Sequence, residues 1–313
     1  MVRCAVIGLG MIGQAWAVIF ARAGYKVTLW DPDEHKRSSI VALLDVQFAS
    51  LSKQGLCSDD SDACMRCVSV SSTLADCVAE AEYVQENGPE KLDVRQALFA
   101  QLDAAAPRSA ILASSTSGMP PSTFTESLAH RARCLVAHPA NPPHLLPLVE
   151  ICPAPWTDPD ITTKARDILR HAGREVAVLH AECEGFILNR LQGALLAEAF
   201  RLVSRGVTSV EDIDTVMKHA LGLRWAFVGP FETIDLNAPG GIKDFCGRYG
   251  ALYAQLQEQM GPMAWDTELI QTVTDARRAA LPLHALRGRQ QWRDEELMAL
   301  SQHLQDRRTR THP

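Results

Sequence analysis

The 313-residue sequence predicts an α/β fold with a mostly parallel, doubly wound sheet, followed by an all-helical C-terminal domain. Two observations support this prediction. Up to about residue 180, apolar runs of strand length alternate with helical stretches, which is typical of a parallel sheet covered by helices on both faces. Beyond residue 185, helical periodicity continues without a convincing strand run. We therefore expect two domains, spanning residues 1–183 and 184–313.

The N-terminal stretch carries the clearest motif of the chain. The apolar run Cys4–Ile7 predicts one buried strand, and residues 8–13 then read Gly-Leu-Gly-Met-Ile-Gly, with the spacing G-x-G-x-x-G. Helical periodicity follows over Ala15–Arg22, and Lys26–Trp30 predicts a second strand that ends at Asp31. The order strand, tight turn, helix, strand and acid is typical of a Rossmann-type dinucleotide-binding unit.

Each part of this motif has a role in holding a dinucleotide. Gly8 makes the tight turn, Gly10 lets the backbone approach a pyrophosphate, and Gly13 lets the helix pack close to the strand. The N-terminus of the helix faces the phosphate charge. The predicted cofactor-binding residues of this segment are therefore Gly8, Leu9, Gly10, Met11, Ile12, Gly13 and Asp31.

Asp31 also indicates which dinucleotide is bound. A carboxylate at this place accepts a hydrogen bond from the 2′-hydroxyl of the adenosine ribose. Asp33 and Glu34 follow closely, so a 2′-phosphate would meet like charge. We therefore expect NAD rather than NADP.

The alternation of strands and helices continues to about residue 180. Helices are predicted over Asp33–Gln54, Glu90–Ala105 and Thr157–Ala172. Further strands are predicted at Cys67–Val70, Glu82–Gln85, Ala110–Ala113, Cys134–Ala137, Leu148–Cys152 and Glu175–Leu179. Polar residues at strand ends, such as Glu86, Ser117 and His138, fall at the edge where doubly wound sheets bind ligands.

The helical part begins near Gly185. Helices are predicted over Phe186–Val203, Gly241–Met260, Trp265–Ala280 and Leu286–Leu304. Thr208 and Glu211 have the spacing of a capping box at the start of a further helix. Helices this rich in apolar stripes leave surface to bury, so we expect a homodimer formed through this domain.

Composition and charge exclude several classes of protein. The 47% hydrophobic and 22% charged residues are ordinary for a soluble globular protein, and the net charge of −6 argues against binding to nucleic acid or to an anionic membrane. The uncharged run Cys4–Ala21 contains three glycines and Gln14, which favours a nucleotide loop over a membrane span or signal peptide. We expect a cytoplasmic protein.

The nine cysteines are odd in number and scattered, which indicates buried thiols in a reducing compartment. Cys64 and Cys67 have the spacing C-x-x-C. Neither a second pair nor a histidine at zinc-finger spacing accompanies them, so we interpret them as structural residues and expect no metal site.

The best candidate for acid–base chemistry is His138, at the end of a predicted strand. An imidazole suits a general base near neutral pH, although a lone histidine at such a place is more often structural. Glu150 lies in an otherwise apolar strand, where a carboxylate is costly to bury unless it is paired. Either Glu150 points to solvent from an edge strand, or it pairs with His138 and stabilises the imidazolium. We favour the pair.

Three further residues are candidates for contact with a substrate. Ser117 follows a strand end and is either a turn or cap residue or a hydrogen-bond partner of a substrate oxygen. Asn189 lies in the first turns of an apolar helix, where its low propensity favours a specific partner. Arg224 either packs on Trp225 at the surface or holds a substrate carboxylate in two parallel hydrogen bonds.

Several segments along nearly the whole chain carry a family resemblance. They are GLGMIG with Asp31, QENGPE at 85–90, STS at 115–117, HPANPP at 138–143, LVE at 148–150, GFILNR at 185–190, GLRWAFVGP at 222–230 and WRD at 292–294. In these segments the chain resembles the 3-hydroxyacyl-CoA dehydrogenase family, and within it the lambda-crystallin / L-gulonate 3-dehydrogenase branch.

The resemblance implies roles for individual residues. His138 matches the catalytic base, Glu150 its partner, and Ser117 and Asn189 the groups that contact the reacting oxygen. The resemblance also implies cofactor-binding residues, namely Ser117, Glu90, Arg95 and Asn141. Glu90 and Arg95 would lie beside the nicotinamide half of NAD, with Arg95 where many relatives have lysine, and Asn141 matches the asparagine that follows the catalytic histidine.

The segment Leu223–Trp225 bears on the substrate. CoA-specific members of the family lack it, so its presence indicates a small free carboxylic acid, with Arg224 as a substrate residue. The expected activity is NAD-dependent oxidation of a 3-hydroxy acid, such as L-gulonate, to the 3-oxo acid. Carnitine 3-dehydrogenases share a similar segment and are one alternative. A short-chain (S)-3-hydroxyacyl-CoA dehydrogenase is another. An NAD-binding, crystallin-like structural protein is a third, disfavoured because His138, Glu150, Ser117 and Asn189 are all retained.

Overall fold

A computed structural model describes residues 1–53 and 61–311 of the chain. Within these residues one sheet of eight strands is formed, in the spatial order β3-β2-β1-β4-β5-β6-β7-β8. The strands are β1 Arg3–Ile7, β2 Lys26–Trp30, β3 Val68–Val70, β4 Tyr83–Glu86, β5 Ile111–Ser114, β6 Cys134–Pro139, β7 Leu148–Pro153 and β8 Glu175–Val178. All neighbouring strands are parallel except β6 and β7, which are antiparallel. The predicted fold class is confirmed.

Helices follow the strands and then form the C-terminal part. They are α1 Met11–Arg22, α2 Glu34–Lys53, α3 Ser61–Met65, α4 Leu74–Val78, α5 Leu92–Ala105, α6 Ser122–Thr125, α7 Pro159–His171, α8 Leu188–Ser204, α9 Val210–Val216, α10 Gly222–Trp225, α11 Pro230–Leu236, α12 Gly241–Gln259, α13 Thr267–Ala280 and α14 Leu286–Thr311. A π-helical segment, Met217–Leu221, joins α9 to α10. None of the described helices is long and apolar enough to cross a membrane.

The predicted bounds differ from these elements by a few residues in several places, and two of these differences concern the ends of helices. The predicted helix Asp33–Gln54 is α2, which begins at Glu34, and Gln54 lies outside the described residues. The predicted capping box at Thr208 and Glu211 is wrong by one residue. Ser209 has extended backbone and caps α9, since its hydroxyl accepts a hydrogen bond of 3.0 Å from the Asp212 amide.

The centre of the sheet is buried on both faces. Residues of β1 alternate between two hydrophobic clusters, with Cys4 and Val6 in one and Ala5 and Ile7 in the other. Chain order reverses at β1, because β2 lies on one side of it and β4 on the other. Ligands of doubly wound sheets bind at such a reversal, beyond the carboxyl ends of the strands. The topology therefore places the expected cofactor site between β1 and β4.

The chain divides into two compact units. The first combines Met1–Arg190 with the segment that begins at Gln291, and the second is Leu191–Gln290. These units differ from the predicted segments 1–183 and 184–313 at two places. Phe186 belongs to a buried cluster of the first unit, and Met298 of α14 packs into that unit's other cluster. Local periodicity carries no information about which core a helix joins, so the sequence did not indicate the return of α14. Of the predicted second segment, residues 312–313 lie outside the described residues.

Candidate active site

The turn after β1 requires two of its glycines. Gly8 has φ +89°, and a Cβ on it would lie 2.8 Å from the Asn87 carbonyl oxygen. A Cβ on Gly13 would lie 1.8 Å from the carbonyl oxygen of Gly8. Apart from Gly10 itself and the adjoining backbone, no atom of the described residues lies within 4 Å of the place where a Cβ on Gly10 would be. That open space at the N-terminus of α1 fits the close approach of a pyrophosphate.

Asp31 ties the end of β2 to this turn. Its carboxylate is buried and accepts hydrogen bonds from the Leu9 amide at 2.7 Å and the Asp33 amide at 2.9 Å. The ammonium of Lys36 lies 3.6 Å from the oxygen that Leu9 contacts. Asp31 is thus held at the glycine turn, as a ribose-binding acid requires.

A cavity of about 850 Å³ lies beside the turn and fits a nucleotide in size. Gly8, Gly10, Asp31 and Asn87 line it on the strand side, and the residues that line it on α5 are Asp93, Val94, Ala97, Leu98 and Gln101. Of the remaining predicted motif residues, Leu9 is buried, Met11 is exposed and Ile12 is partly buried. The glycine turn, the buried acid and the cavity together fit NAD.

The structure brings His138 and Glu150 together. They are directly opposite each other in the antiparallel pair β6–β7. The Nδ1 atom of His138 lies 2.8 Å from Oε2 of Glu150, and the two residues are 6% and 1% exposed. Since Nδ1 faces the carboxylate, Nε2 is the ring nitrogen left for a substrate.

The other oxygen of Glu150 is held by backbone. Oε1 accepts hydrogen bonds of 2.8 Å from the amides of Ile187 and of Leu188, at the N-terminus of α8. Two amide donors at the N-terminus of a helix satisfy the hydrogen bonds that a buried carboxylate oxygen requires. Glu150 therefore has a partner for each oxygen and a fixed orientation toward His138.

Phe186 supports this arrangement and was not identified from the sequence. It is fully buried, and its ring centroid lies 5.4 Å from that of His138. Its φ of +52° follows Gly185 at +74°, so the chain turns sharply before α8 begins. The sequence had predicted Phe186 as the first helical residue. The turn instead directs the amides of Ile187 and Leu188 toward Glu150.

Ser117 and Asn189 are also in contact. The side-chain amide of Asn189 donates a hydrogen bond of 2.6 Å to the carbonyl oxygen of Ser117. The Ser117 amide donates one of 2.6 Å to Oε1 of Glu90. Both contacts fix the backbone of Ser117, whose side chain is exposed at the carboxyl end of β5. All of these residues lie in the first compact unit.

The other predicted residues have different surroundings. Arg95 is 1% exposed and its guanidinium contacts Glu86 and Glu90, so it lies within the protein behind Glu90. Asn141 is exposed after β6. Arg224 is exposed on α10 in the second compact unit. Among the described residues, no group of three or more His, Cys, Asp or Glu side chains is arranged to hold a metal ion.

A buried polar network beneath the site was also missed. The indole of Trp16 and the amide of Gln85 donate hydrogen bonds of 2.9 and 2.7 Å to the Ser115 hydroxyl, which donates one of 2.7 Å to Asn87. Gln85 also donates one of 3.2 Å to the carbonyl oxygen of Ala137. The network ties α1 to the ends of β4, β5 and β6. Gln85, which follows Tyr83 and Val84 at the end of a predicted strand, was the available sequence signal.

Comparison with known protein families gives two matches that cover most of the chain. Residues 3–183 match the model of the NAD binding domain of 3-hydroxyacyl-CoA dehydrogenase, and residues 185–280 match the model of its C-terminal domain.

Individual relatives are similar over most of their length. A lambda-crystallin homolog from Bos taurus is 40% identical, over 95% of this chain and 94% of that protein. An L-carnitine dehydrogenase from Streptomyces coelicolor is 37% identical, over 87% of this chain and 85% of that protein. A solved structure of the NAD-dependent 5-formyl-3-hydroxy-2-methylpyridine 4-carboxylic acid 5-dehydrogenase has a TM-score of 0.84 at 25% identity, and covers 97% of this chain and 99% of that one.

Proposed function

The chain belongs to the 3-hydroxyacyl-CoA dehydrogenase family and is an NAD-dependent dehydrogenase acting on a 3-hydroxy group; on that premise we propose that it oxidises a small free 3-hydroxy acid, such as L-gulonate, to the 3-oxo acid. The observation that carries the proposal is the buried pair of His138 and Glu150 at the carboxyl end of the sheet. This pair supplies a base whose orientation is fixed before a substrate arrives.

His138 takes the proton of the substrate hydroxyl. With Nδ1–H donated to Glu150, the lone pair of Nε2 is free to accept that proton. Glu150 then stabilises the imidazolium that forms, and its own position is kept by the amides of Ile187 and Leu188. The Phe186 ring, which packs beside the imidazole, limits the access of water to the pair.

Ser117 and Asn189 orient the reacting oxygen in this proposal. The Ser117 hydroxyl is exposed at the strand end, and Asn189 keeps one amide hydrogen and its oxygen beyond the bond to Ser117. When bound, NAD supplies the nicotinamide that accepts the hydride. Gly8, Gly10 and Asp31 would hold its pyrophosphate and adenosine ribose, and Gly13 lets α1 pack close to the turn.

A free carboxylate distinguishes the proposed substrate from an acyl-CoA. Arg224 is exposed on α10, and a guanidinium is suited to hold a carboxylate by two parallel hydrogen bonds. The similar pyridine carboxylic acid dehydrogenase acts, by its name, on a free acid, which supports this choice. The segment that contains Arg224 is one of those in which the chain resembles the lambda-crystallin branch.

We also propose a role for each of the two predicted segments and an oligomeric state for the protein. Residues 1–183 bind NAD, and residues 184–313 bind the substrate and form a homodimer. Support for the dimer comes from large apolar side chains exposed on the second compact unit, including Leu223, Phe227, Phe231, Leu236, Tyr253 and Leu283. Seven of the described cysteines are free thiols, which supports a cytoplasmic location: Cys4, Cys67, Cys77, Cys134, Cys152, Cys183 and Cys246. Cys57 lies outside the described residues.

The test is NADH formation from NAD and three substrates in parallel: L-gulonate, L-carnitine and (S)-3-hydroxybutyryl-CoA. We expect the highest kcat/KM with L-gulonate. A preference for L-carnitine keeps the free-acid class and rejects the sugar acid. A preference for the thioester rejects the role of Arg224, and no NADH with any of the three rejects the proposed substrate class.

A further inference from the structure

Gln85 is a buried polar residue on β4 whose side chain reaches past β5 to β6. In the sheet, β5 lies between these two strands. The ladder between β5 and β6 ends at the pair Ser114–Val136, whereas β6 continues to Pro139. The carbonyl oxygen of Ala137 therefore lies beyond the end of that ladder, and the side-chain amide of Gln85 donates a hydrogen bond of 3.2 Å to it. A side chain thus takes the place that a backbone donor of β5 has along the ladder.

This contact lies next to the proposed base. Ala137 immediately precedes His138, which faces Glu150 across the antiparallel pair β6–β7. Ala137 and Gln85 are both fully buried. At this point β7 holds one edge of β6, and Gln85 holds the other edge. The position of the imidazole in the sheet therefore depends on the amide of Gln85.

The orientation of the Gln85 amide is fixed by its other contacts. Its oxygen accepts a hydrogen bond of 2.8 Å from the Tyr83 hydroxyl, and its nitrogen donates one of 2.7 Å to the Ser115 hydroxyl. Together with the bond to Ala137, these contacts give the oxygen and both hydrogens of the NH₂ group a partner. A rotated amide would place its oxygen against the carbonyl of Ala137, so one orientation is strongly favoured.

Ser115 connects this amide to the glycine turn. Its hydroxyl donates a hydrogen bond of 2.7 Å to the side chain of Asn87 and accepts one of 2.9 Å from the indole of Trp16 on α1. The side-chain amide of Asn87 donates one of 3.1 Å to the carbonyl oxygen of Ile7, which directly precedes the turn. A continuous set of hydrogen bonds therefore joins the turn that is expected to hold NAD with the end of β6.

We propose that Gln85 is a positioning residue for the oxidation, which holds the end of β6, and with it His138, in a fixed place relative to the glycine turn. The inference rests on the proposed role of His138 as the base. The substrate carbon must meet the nicotinamide while its hydroxyl meets the base, so the reaction requires a set distance between the cofactor and His138. Gln85 acts on that distance through the backbone of Ala137.

Two variants remove this contact, and a third is a matched control. Gln85→Met keeps the length of the side chain and removes its donors, and Gln85→Asn keeps an amide that is one methylene shorter. Thr157→Val is the control, because the Thr157 hydroxyl donates a hydrogen bond of 2.6 Å to the carbonyl oxygen of Cys134, the first residue of β6. It removes the same kind of contact from the same strand, at the end remote from His138.

The measurements are the single-turnover rate of NADH formation with the best of the three substrates named above, the Kd for NAD by calorimetry, and urea unfolding. We expect the rate to fall about ten- to a hundredfold in both Gln85 variants, since a misplacement of about 1 Å costs on the order of a hundredfold. The Kd should stay within about twofold, because the bond from Asn87 to Ile7 is kept. Thr157→Val should unfold at lower urea, as the Gln85 variants do, and keep the wild-type rate within about twofold.

Three results would overturn the proposal. The first is a wild-type rate in both Gln85 variants. The second is an equal loss of rate in Thr157→Val, because the loss would then follow from any damage to β6. The third is a Kd for NAD raised tenfold with an unchanged rate, which would mean that Gln85 serves the cofactor site alone.

Ser115→Ala tests the connection to the glycine turn. It should lower the single-turnover rate, and the double variant with Gln85→Met should be no slower than Gln85→Met, because both changes act through one set of contacts. Additive losses would mean that Ser115 and Gln85 act separately, and would overturn the connection.

His138→Gln distinguishes this proposal from the one on which it rests. A wild-type rate in His138→Gln rejects the role of the base. A loss of rate there, together with a wild-type rate in Gln85→Met and in Gln85→Asn, rejects only the role of Gln85.

Discussion

The replacement Glu150→Gln tests how the acid–base pair works. In the wild type, Oε1 accepts two amides and Oε2 faces Nδ1 of His138 at 2.8 Å. The oxygen of the introduced amide can still accept the amides of Ile187 and Leu188, so the fold is kept. Its NH₂ group then faces Nδ1 and favours the tautomer with the proton on Nε2, which cannot accept a proton from the substrate.

The expected effect is large on turnover and small on stability. Loss of the correct tautomer and of the charge that stabilises the imidazolium predicts a fall in kcat of about 10³–10⁴-fold, or about 4–5.5 kcal/mol in activation free energy. Glu150→Ala is the contrasting variant. It also leaves the two amides of Ile187 and Leu188 unsatisfied, at about 1–3 kcal/mol of unfolding free energy for each.

The assay combines steady-state NADH formation with urea unfolding of all three proteins. Glu150→Gln should lose turnover and unfold near the wild-type midpoint, whereas Glu150→Ala should lose turnover and unfold at lower urea. A kcat for Glu150→Gln within tenfold of the wild type would refute the assigned role of the carboxylate.

Three further predictions concern the glycine turn, the substrate carboxylate and the buried cysteines. Gly13→Ala should abolish NAD binding, measured by calorimetry, because its Cβ would lie 1.8 Å from a backbone carbonyl oxygen; wild-type affinity contradicts the tight packing of α1. Arg224→Ala should raise KM for a free acid by roughly tenfold or more, the scale of a charge-assisted pair, in initial-rate assays, with Arg224→Lys in between; an unchanged KM contradicts the assigned contact. Burial raises the pKa of Cys77 and of Cys134 to about 12. Iodoacetamide at pH 8 should therefore label the exposed Cys246 in the folded protein and leave both buried thiols unmodified, as measured by mass spectrometry. Labelling of Cys77 and Cys134 at the rate of Cys246 contradicts their burial.

Much of the first compact unit could be predicted because short stretches of the sequence determine its strands and helices. Apolar runs of strand length and three glycines at fixed spacing define β1, α1 and β2, and the structure has these elements within a few residues of the predicted bounds. The pairing of His138 with Glu150 was also predictable. A carboxylate inside an apolar strand needs a partner, and the end of the preceding strand offers an imidazole.

The features that the sequence did not indicate depend on contacts between distant parts of the chain or on hydrogen bonds from backbone amides. The two amides that hold Glu150 belong to residues 187 and 188, and their direction is set by the positive φ of Phe186. The order of side chains in a sequence does not show where backbone amides donate their hydrogen bonds. The burial of Arg95 depends on how α5 packs against the loop after β5. The packing of α14 into the first unit likewise has no local signature.

We propose that His138 is the base of the NAD-dependent oxidation of a 3-hydroxy acid. The most direct measurement compares NADH formation by the wild type and His138→Gln on L-gulonate, with NAD binding to both proteins measured by calorimetry. We predict that turnover falls by about 10²–10⁴-fold, as expected for loss of a general base, while the Kd for NAD stays within about twofold. Wild-type turnover by His138→Gln, with NAD bound normally, would contradict the role of His138 as the base.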